Sequence, residues 1–351
     1  MAQNNLSSKY SSTRHRDGLP ESDRPAARAL IDQAALADGI GPVSEDARLA
    51  LAHGRPGADF LLARTALGEP AGYAYAGAPD EHGGRSAELV VAPEFRRQGL
   101  GADLAAELIA GVVGEVVGGA IGNSGINNGE INNGANSGQT NGATPKPPHT
   151  AALPPEFWAH GDHPAARRLA ASLDYAPARE LHLMALSVDS YDPPEVVLPA
   201  DAILRTFQPG VDEEEWLALN CRAFAHHPEQ GNWTMADLAL RLAEPWFDPA
   251  GFFLLSAAGR PAGFHWTKVH PAGEYGPGQV GEVYVVGVDP DAQGRGFGRL
   301  LTVAGVNHLA QRGLAKVILY VDADNTAALR LYRSLGFQIE STDVMYAKSF
   351  R

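Results

Sequence analysis

The sequence predicts an α/β protein, more narrowly an α+β mixed-sheet protein. Two tandem domains are expected, each a mixed, mostly antiparallel sheet with helices on both faces. Three observations predict it. The chain has 351 residues, more than one domain of ordinary size. A strand, a Pro-containing glycine-rich turn and an apolar helix follow one another twice, with Arg96 and Gln293 at matching positions. The stretches before and after the two copies also match in kind and order.

The chain opens MAQNNLSSK, without the apolar core of a signal peptide. Residues 1–14 read as a disordered lead-in to a first domain at 15–189. There, residues 24–37 and 45–52 read as helices, and 60–64 with 72–75 as a hairpin. In the second domain, at 200–351, helices at 213–224 and 235–241 precede a hairpin at 251–257 and 263–269. The glycine copies come next, residues 88–101 (ELVVAPEFRRQGLG) and 282–299 (EVYVVGVDPDAQGRGFGR). Glycines leave no Cβ in the way, so consecutive N–H groups can approach an anion at the positive end of the helix. A pyrophosphate is such an anion. One such turn alone reads equally well as a tight strand–helix connection; recurrence at matching positions favours the anion site.

Downstream, residues 157–175 (FWAHGDHPAARRLAASLDY) match 319–337 (LYVDADNTAALRLYRSLGF), pairing Trp158 with Tyr320, His163 with Asn325 and Ala170 with Tyr332. Asn325 is a natural N-cap, and Gly336 supplies the left-handed residue that ends the helix. Ala328, Leu331, Tyr332 and Leu335 share one helical face. Each half thus reads β-α-α-β-β-β-α-β-α-β. From Gln293 to Asn325 is 32 residues, and from Arg96 to His163 is 67. The excess falls at 118–152, Gly/Asn-rich and then Pro-rich, which cannot bury a core and is expected to be a flexible insertion. A hairpin at Asn-Asn-Gly is the other reading of it. Pro-rich residues 190–199 form the linker.

No run of about eighteen apolar residues occurs, so no membrane span is expected. The net charge of −13 argues against a nucleic-acid groove. A small anionic cofactor then needs locally concentrated positive charge, and Arg96, Arg97, Arg295 and Arg299 flank the two glycine turns. An acidic surround also favours an amine-bearing substrate, although solubility explains acidity equally well. The single cysteine, Cys221, excludes an intrachain disulfide and suits a reducing cytoplasm. It reads as a small buried thiol rather than a nucleophile. His226 and His227 are adjacent, which is not metal-ligand spacing, so no metal site is expected.

The Gln/Arg-x-x-Gly-x-Gly pattern resembles motif A of the GCN5-related N-acetyltransferases, which binds acetyl-coenzyme A. It differs from a dinucleotide fingerprint, because Gly294, Gly296 and Gly298 are spaced G-x-G-x-G. The resemblance implies acetyl transfer from a thioester to an amine. That needs a neutral amine, a polarised carbonyl and a proton for the departing thiolate. A carboxylate near the cleft suffices for an α-amine with a pKa of ~8, and Glu282 begins the strand leading into the turn. Val286 is expected on the same face, roughly 13 Å along. A solvated strand-end charge remains the other reading of Glu282. In this superfamily the strand bulges near Val286, Gly287 and Val288, so one N–H polarises the acetyl carbonyl; Gly287 permits a bulge there, and a plain buried strand fits the valines equally well. The resemblance makes Tyr332 the general acid, with a core tyrosine as the alternative. Its first-half counterpart, Ala170, has no proton to give, and Glu88 reads as the counterpart of Glu282. Catalysis therefore belongs to the second half.

The tandem arrangement, with residues 225–231 (AHHPEQG), 263–268 (GFHWTK) and 282–290 (EVYVVGVDP), resembles a tandem-domain branch of that superfamily. The branch acetylates the cysteinyl amine of 1D-myo-inositol 2-(L-cysteinylamino)-2-deoxy-α-D-glucopyranoside, the last step of mycothiol biosynthesis. The resemblance covers residues 20–117 and 152–350. It implies that Glu45, Glu229, Lys268, Glu282 and Tyr320 line the substrate site. It implies that Val286, Gly287, Val288, Gln293, Gly294, Arg295, Gly296, Phe297, Gly298, Arg299, Asn325, Thr326, Ala327, Ala328, Leu329 and Arg330 hold the productive acetyl-coenzyme A. Leu89, Val90, Val91, Arg96, Gly99 and Gly101 would hold a second, non-catalytic one. A polyhydroxylated substrate fits a site with several charged groups aimed inward. Taken singly, Glu229 and Lys268 also read as a loop charge and a strand-end charge. Two other functions stay open: acetylation of another small amine, and a non-catalytic acyl-coenzyme A-binding regulator. The chain is read as a cytoplasmic monomer.

Overall fold

The fold is taken from a computed structural model that describes residues 3–6, 9–80, 82–121, 153–225 and 230–349. The first half runs β1 (Gln3–Leu6), β2 (Tyr10–Arg16), α1 (Arg24–Asp38), α2 (Glu45–His53), β3 (Asp59–Thr65), β4 (Pro70–Ala76), β5 (Ser86–Val91), α3 (Leu100–Ile121), β6 (Glu156–Ala159), α4 (Pro164–Ser172) and β7 (Tyr175–Ser187). The second runs β8 (Ala202–Thr206), α5 (Glu213–Ala223), α6 (Met235–Leu242), β9 (Phe252–Ala257), β10 (Arg260–His270), β11 (Val280–Val288), α7 (Phe297–Gln311), β12 (Lys316–Asp322), α8 (Thr326–Ser334) and β13 (Gln338–Lys348). From β2 onward both halves follow the predicted order.

Local chemistry sets the helix starts. Ser44 accepts a hydrogen bond from the Ala47 N–H and begins α2, and Thr234 with Asp237 makes a capping box on α6. Asn325 accepts from the Ala328 N–H at 3.1 Å, and its counterpart His163 caps α4 through Nδ1, which accepts from the Ala165 N–H at 3.2 Å. Gly336, at φ +96°, follows the end of α8 as predicted.

The expected lead-in at 1–14 is overturned for residues the structure describes. β1 pairs antiparallel with β2, and β2 pairs with β3 over Tyr10–Arg16. Tyr10 and Ser12 are buried, so this segment has a core face that its polar composition hides. The insertion at 118–152 lies outside the described residues from 122 onward, and α3 extends to Ile121.

The expected linker at 190–199 lies between β7 and β8 and joins two halves that share a sheet. Among the described residues, thirteen strands form one sheet, in the order β1-β2-β3-β4-β5-β6-β13-β7-β12-β11-β10-β9-β8. The closing strands are exchanged: β7 pairs with β12 of the second half, and β13 inserts between β6 and β7. The two pair antiparallel with each other from Gln338↔Ala185 to Lys348↔Tyr175. Leu183, Met184 and Leu186 of β7 are buried, each contributing about 1.5–3 kcal/mol by leaving water. Met184 and Leu186 do so in the cluster built on α7, β12 and α8. The halves are therefore repeats in sequence and one body in space.

Helices cover both faces. In the first half α1 and α2 pack on one face and α3 on the other. In the second, α5 and α6 pack on one face and α7 on the other. Among the described residues no helix is long and apolar enough to cross a membrane.

Candidate active site

Parallel strands that part company open a cleft in each half. β5 pairs with β6 only at Ser86↔Glu156 and Ala87↔Phe157, and β11 with β12 only from Val280↔Lys316 to Val283↔Leu319. Beyond those points each strand keeps its antiparallel neighbour and loses its parallel one. In the first half the gap is a cavity of about 500 Å³ lined by Leu89, Val90, Val91, Arg96, Gly99 and Gly101, the six residues predicted there, and by Ala170. In the second half, Gly296 at φ +80° opens α7 with no side chain capping it. A Cβ built at Gly296 or Gly99 meets nothing within 4 Å, so both turns face open space at a helix N-terminus, as a pyrophosphate requires.

The flanking cations are more engaged than expected. Arg96 makes a two-pronged bond to Asp38, at 2.7 and 2.8 Å, and Arg295 bonds Asp201 at 2.9 Å. Arg299 donates to Ser334 Oγ at 2.9 Å, tying the start of α7 to α8. Phe297 and Leu329 point into the core, so only their backbone faces outward. Gln293, Gly294 and Gly298 lie in or beside the turn, Asn325 is exposed at the cap of α8, Thr326, Ala327 and Arg330 are exposed on the helix, and Ala328 is partly buried.

A second cavity, of about 760 Å³, brings together Glu45, Lys268, Glu282 and Tyr320. Glu45 comes from α2 of the first half; the other three come from β10, β11 and β12. Lys268 bonds Glu45, and Tyr284 donates to the same carboxylate. Arg241 donates to the Tyr284 hydroxyl at 2.9 Å. Burial pushes the Glu45 carboxyl up, but the Lys268 and Arg241 charges and the two bonds outweigh it and hold the carboxyl below its ordinary range. Lys268 also lies over the Trp246 ring, 4.6 Å from its centroid. Tyr320 faces Tyr275, with hydroxyls 3.3 Å apart; burial first, then Tyr275 and Asp343, pushes its pKa well up. His270 reaches Glu282 at 2.6 Å.

Glu229, with His226 and His227, lies outside the described residues. Tyr284, His270, Tyr275, Trp246 and Arg241 were not singled out from the sequence. Two of them were within reach of it: His270 follows Lys268, and Tyr284 follows Glu282, by one strand period. The others sit on loops or a helix with no periodic signal pointing inward.

Three expectations about β11 are corrected. The bulge lies at Tyr284, since Trp266 pairs with Val285 and Thr267 with Val283. Gly287 has another use: its Cβ would meet the Phe264 ring at 2.8 Å. The extra residue also shifts the face. Glu282 and Tyr284 line the cavity, whereas Val286 packs toward α7 with Phe297 and Leu301, so it is not on the face of Glu282. Finally, Glu88 is not the counterpart of Glu282. Gly72↔Val91 matches Gly263↔Val288, which sets Glu88 against Val285. Ala87↔Phe157 matches Val283↔Leu319, which sets Ser86 against Glu282. Glu88 is buried, accepts from the Ser44 N–H at 2.9 Å and so anchors the helix that carries Glu45. His160 lies 3.5 Å from Glu88 and 2.8 Å from Asp343; burial lowers its pKa, and the two carboxylates more than reverse this, to about 10.

Tyr332 does not line the second cavity. It is 7% exposed, packs edge-on against Phe337 at 5.9 Å, and shares a cluster with Val283 and Val286. Burial pushes its pKa up to about 12. Its counterpart Ala170 does line the first cleft, so the equivalent position in the repeat faces a cavity. Cys221 is partly buried, 3.8 Å from the Trp233 carbonyl. Among the described residues no group of three or more His, Cys, Asp or Glu is placed to hold a metal ion.

The acetyltransferase (GNAT) family matches residues 29–119 and 214–337, one segment in each half. A mycothiol acetyltransferase of Thermobispora bispora is 48% identical over 93% of this chain and 96% of its own length. One of Geodermatophilus obscurus is 44% identical over 95% and 96%. Among solved structures, a GCN5-related N-acetyltransferase from Sphaerobacter thermophilus has a TM-score of 0.62 at 25% identity, covering 95% of this chain and 94% of that one. A tandem GNAT protein from the clavulanic acid pathway has a TM-score of 0.63 at 16% identity, covering 97% and 99%, and shares the fold.

Proposed function

The chain belongs to the acetyltransferase (GNAT) family, and from that premise we propose that it is a mycothiol acetyltransferase. It transfers acetyl from acetyl-coenzyme A to the cysteinyl amine of cysteinyl-glucosaminyl-inositol in its second half. The observation that carries the reading is the convergence of Glu45, Lys268, Glu282 and Tyr320 on one cavity, together with relatives of that name along nearly the whole chain.

The residues suit acetyl-coenzyme A. The uncapped α7 N-terminus and the open space at Gly296 receive the pyrophosphate. Beyond Val283, β11 lacks its parallel partner, so backbone groups of Val286, Gly287 and Val288 on that side are available to the pantetheine arm and acetyl carbonyl. Glu282 takes a proton from the cysteinyl ammonium, freeing the lone pair that attacks the carbonyl carbon. The new C–N bond forms as the C–S bond breaks, Tyr332 gives its hydroxyl proton to the thiolate, the nitrogen's remaining extra proton passes through solvent to the Tyr332 phenolate, and Glu282 releases the first proton to solvent. Lys268, Tyr320 and Glu45 hold the polyhydroxylated part, with Glu229 as a further contact. The first cleft, lacking both an acid at Ala170 and a carboxylate at Ser86, binds a second acetyl-coenzyme A without turning it over.

The strand exchange is made inside one chain, which supports a monomer, and the single cysteine supports a cytoplasmic setting. The test is mass spectrometry of products from a panel of amines, cysteinyl-glucosaminyl-inositol included. Acetylation of that compound at the highest kcat/KM is expected; a clear preference for an amino sugar or peptide amine would overturn the substrate.

A further inference from the structure

His270 stands two residues after Lys268 on β10 and lines the same cavity. Its ring is 3% exposed and sits between two carboxylates, with Nε2 2.6 Å from Glu282 Oε2 and Nδ1 3.2 Å from Glu274 Oε2. Tyr275 packs edge-on against the ring, with centroids 4.6 Å apart. Nε2 donates to Glu282, and although Nδ1 makes no hydrogen bond, the Glu274 carboxylate beside it favours the charged imidazolium. Burial opposes that charge, as does Lys268, but Glu274 and Glu282 outweigh both, so the pKa stands above its ordinary value. Glu274 is 28% exposed and marks the solvent end of the chain of three. Glu282 Oε1 is left without a protein partner among the described residues.

A carboxylate acting as base must be ionised and must keep one oxygen aimed at the amine. A charge-assisted bond to the other oxygen fixes its rotamer, and an adjacent cation favours the ionised form. We propose that His270 is a positioning residue for acetyl transfer, pinning Glu282 Oε2 so that Oε1 meets the substrate amine; this rests on the reading of Glu282 as the base. No proton leaves His270 in this role. The amine proton goes to Glu282 Oε1 while the bond to Nε2 persists.

The test measures kcat and KM against pH, with acetyl-coenzyme A and cysteinyl-glucosaminyl-inositol. The proteins are wild type, His270→Gln, Glu274→Gln, Glu282→Gln and the His270→Gln/Glu282→Gln double variant. The groups that face His270 are Glu282, Glu274, Tyr275 and Lys268, with Arg48 beyond Glu274. Loss of the cation beside the base should move the acid limb of kcat/KM to higher pH. His270→Gln should lower kcat about 10- to 10²-fold with KM for acetyl-coenzyme A unchanged. Glu274→Gln, at a partly exposed position, should move the limb the same way by less, and it keeps the proposal testable if His270→Gln fails to fold. The double variant should be no slower than Glu282→Gln alone, because His270 acts through Glu282. Wild-type kcat and acid limb in His270→Gln, or an additive loss in the double variant, overturns the positioning role. Full activity in Glu282→Gln instead overturns the base reading beneath it.

Discussion

The two clefts are built from the same strand, glycine turn and helix, yet they differ at three places. Ala170 on α4 stands where α8 carries Tyr332. Ser86 at the start of β5 stands where β11 carries Glu282. Between the matched positions Ala87–Val91 and Val283–Val288, β11 has one residue more than β5, the bulged Tyr284, whose hydroxyl donates to Glu45. Binding a nucleotide thioester needs only the shared backbone, with its uncapped helix end and parted strands. Chemistry needs the side chains added on top, and these occur in one copy. The first half still contributes to the second cavity, because α2 delivers Glu45 across the junction and Glu88 holds the helix in place. In the proposed reading one copy catalyses and the other completes its site.

The largest expected effect breaks the idea of separable halves. A fragment of residues 200–351 lacks β7, so β12 and β13 both lose their partner along Tyr175–Ser187. It is expected to show no cooperative thermal unfolding and no acetyl transfer, measured by calorimetry and thiol release. A fragment that folds and turns over would show the exchange to be dispensable.

Next in size is Gly296→Val. The φ of +80° disfavours any side chain, and the added atoms enter the open space before α7. Turnover should fall more than about 10²-fold, the scale on which misplacing a reacting group by 1 Å is costly. Retained turnover would move the productive pyrophosphate elsewhere.

Tyr332→Phe keeps the ring against Phe337 and removes one proton donor. The fold and affinity for acetyl-coenzyme A should be unchanged, and kcat should drop about 10²-fold. With its pKa pushed up to about 12, Tyr332 stays protonated across neutral pH. A basic limb below about pH 10 in kcat would therefore belong to another group.

Much of this comparison was legible in the sequence because it rests on local patterns. The element order, the Asn325 cap, the Gly336 stop and the pairing of Ala170 with Tyr332 each follow from a few adjacent residues. Lys268, Glu282, Tyr320 and Glu45 came through motif resemblance, and they meet in one cavity. The strand exchange was not legible, since β7 and β13 would show the same apolar alternation whichever sheet they joined. The Tyr284 bulge was missed for a related reason. A single inserted residue carries no turn signal of its own, but it reverses the facing of everything after it, including Val286. The lead-in expectation failed on composition at the described residues 3–6 and 9–14, because a polar strand with Tyr10 and Ser12 turned inward looks like a disordered one.

The smallest expected effect sharpens the division most. Gly99 has φ +91° and, like Gly296, faces open space. Gly99→Val should therefore weaken binding of acetyl-coenzyme A in the first cleft, read by calorimetry as the loss of one of two sites. The strained backbone costs about 1–2 kcal/mol, borne by the first half alone, and the route to the second site through Glu88, Ser44 and Glu45 begins three residues before the cleft's wall ends at Val91. Because that route is held by the Glu88 carboxylate rather than by the turn, kcat should stay within about threefold of wild type, a difference under ~1 kcal/mol. A first site lost with turnover kept is the signature of a binding half and a catalysing half. If Gly99→Val is inactive while Gly296→Val works, the two halves have been assigned the wrong way round, and Glu282 and Tyr332 lose their roles together.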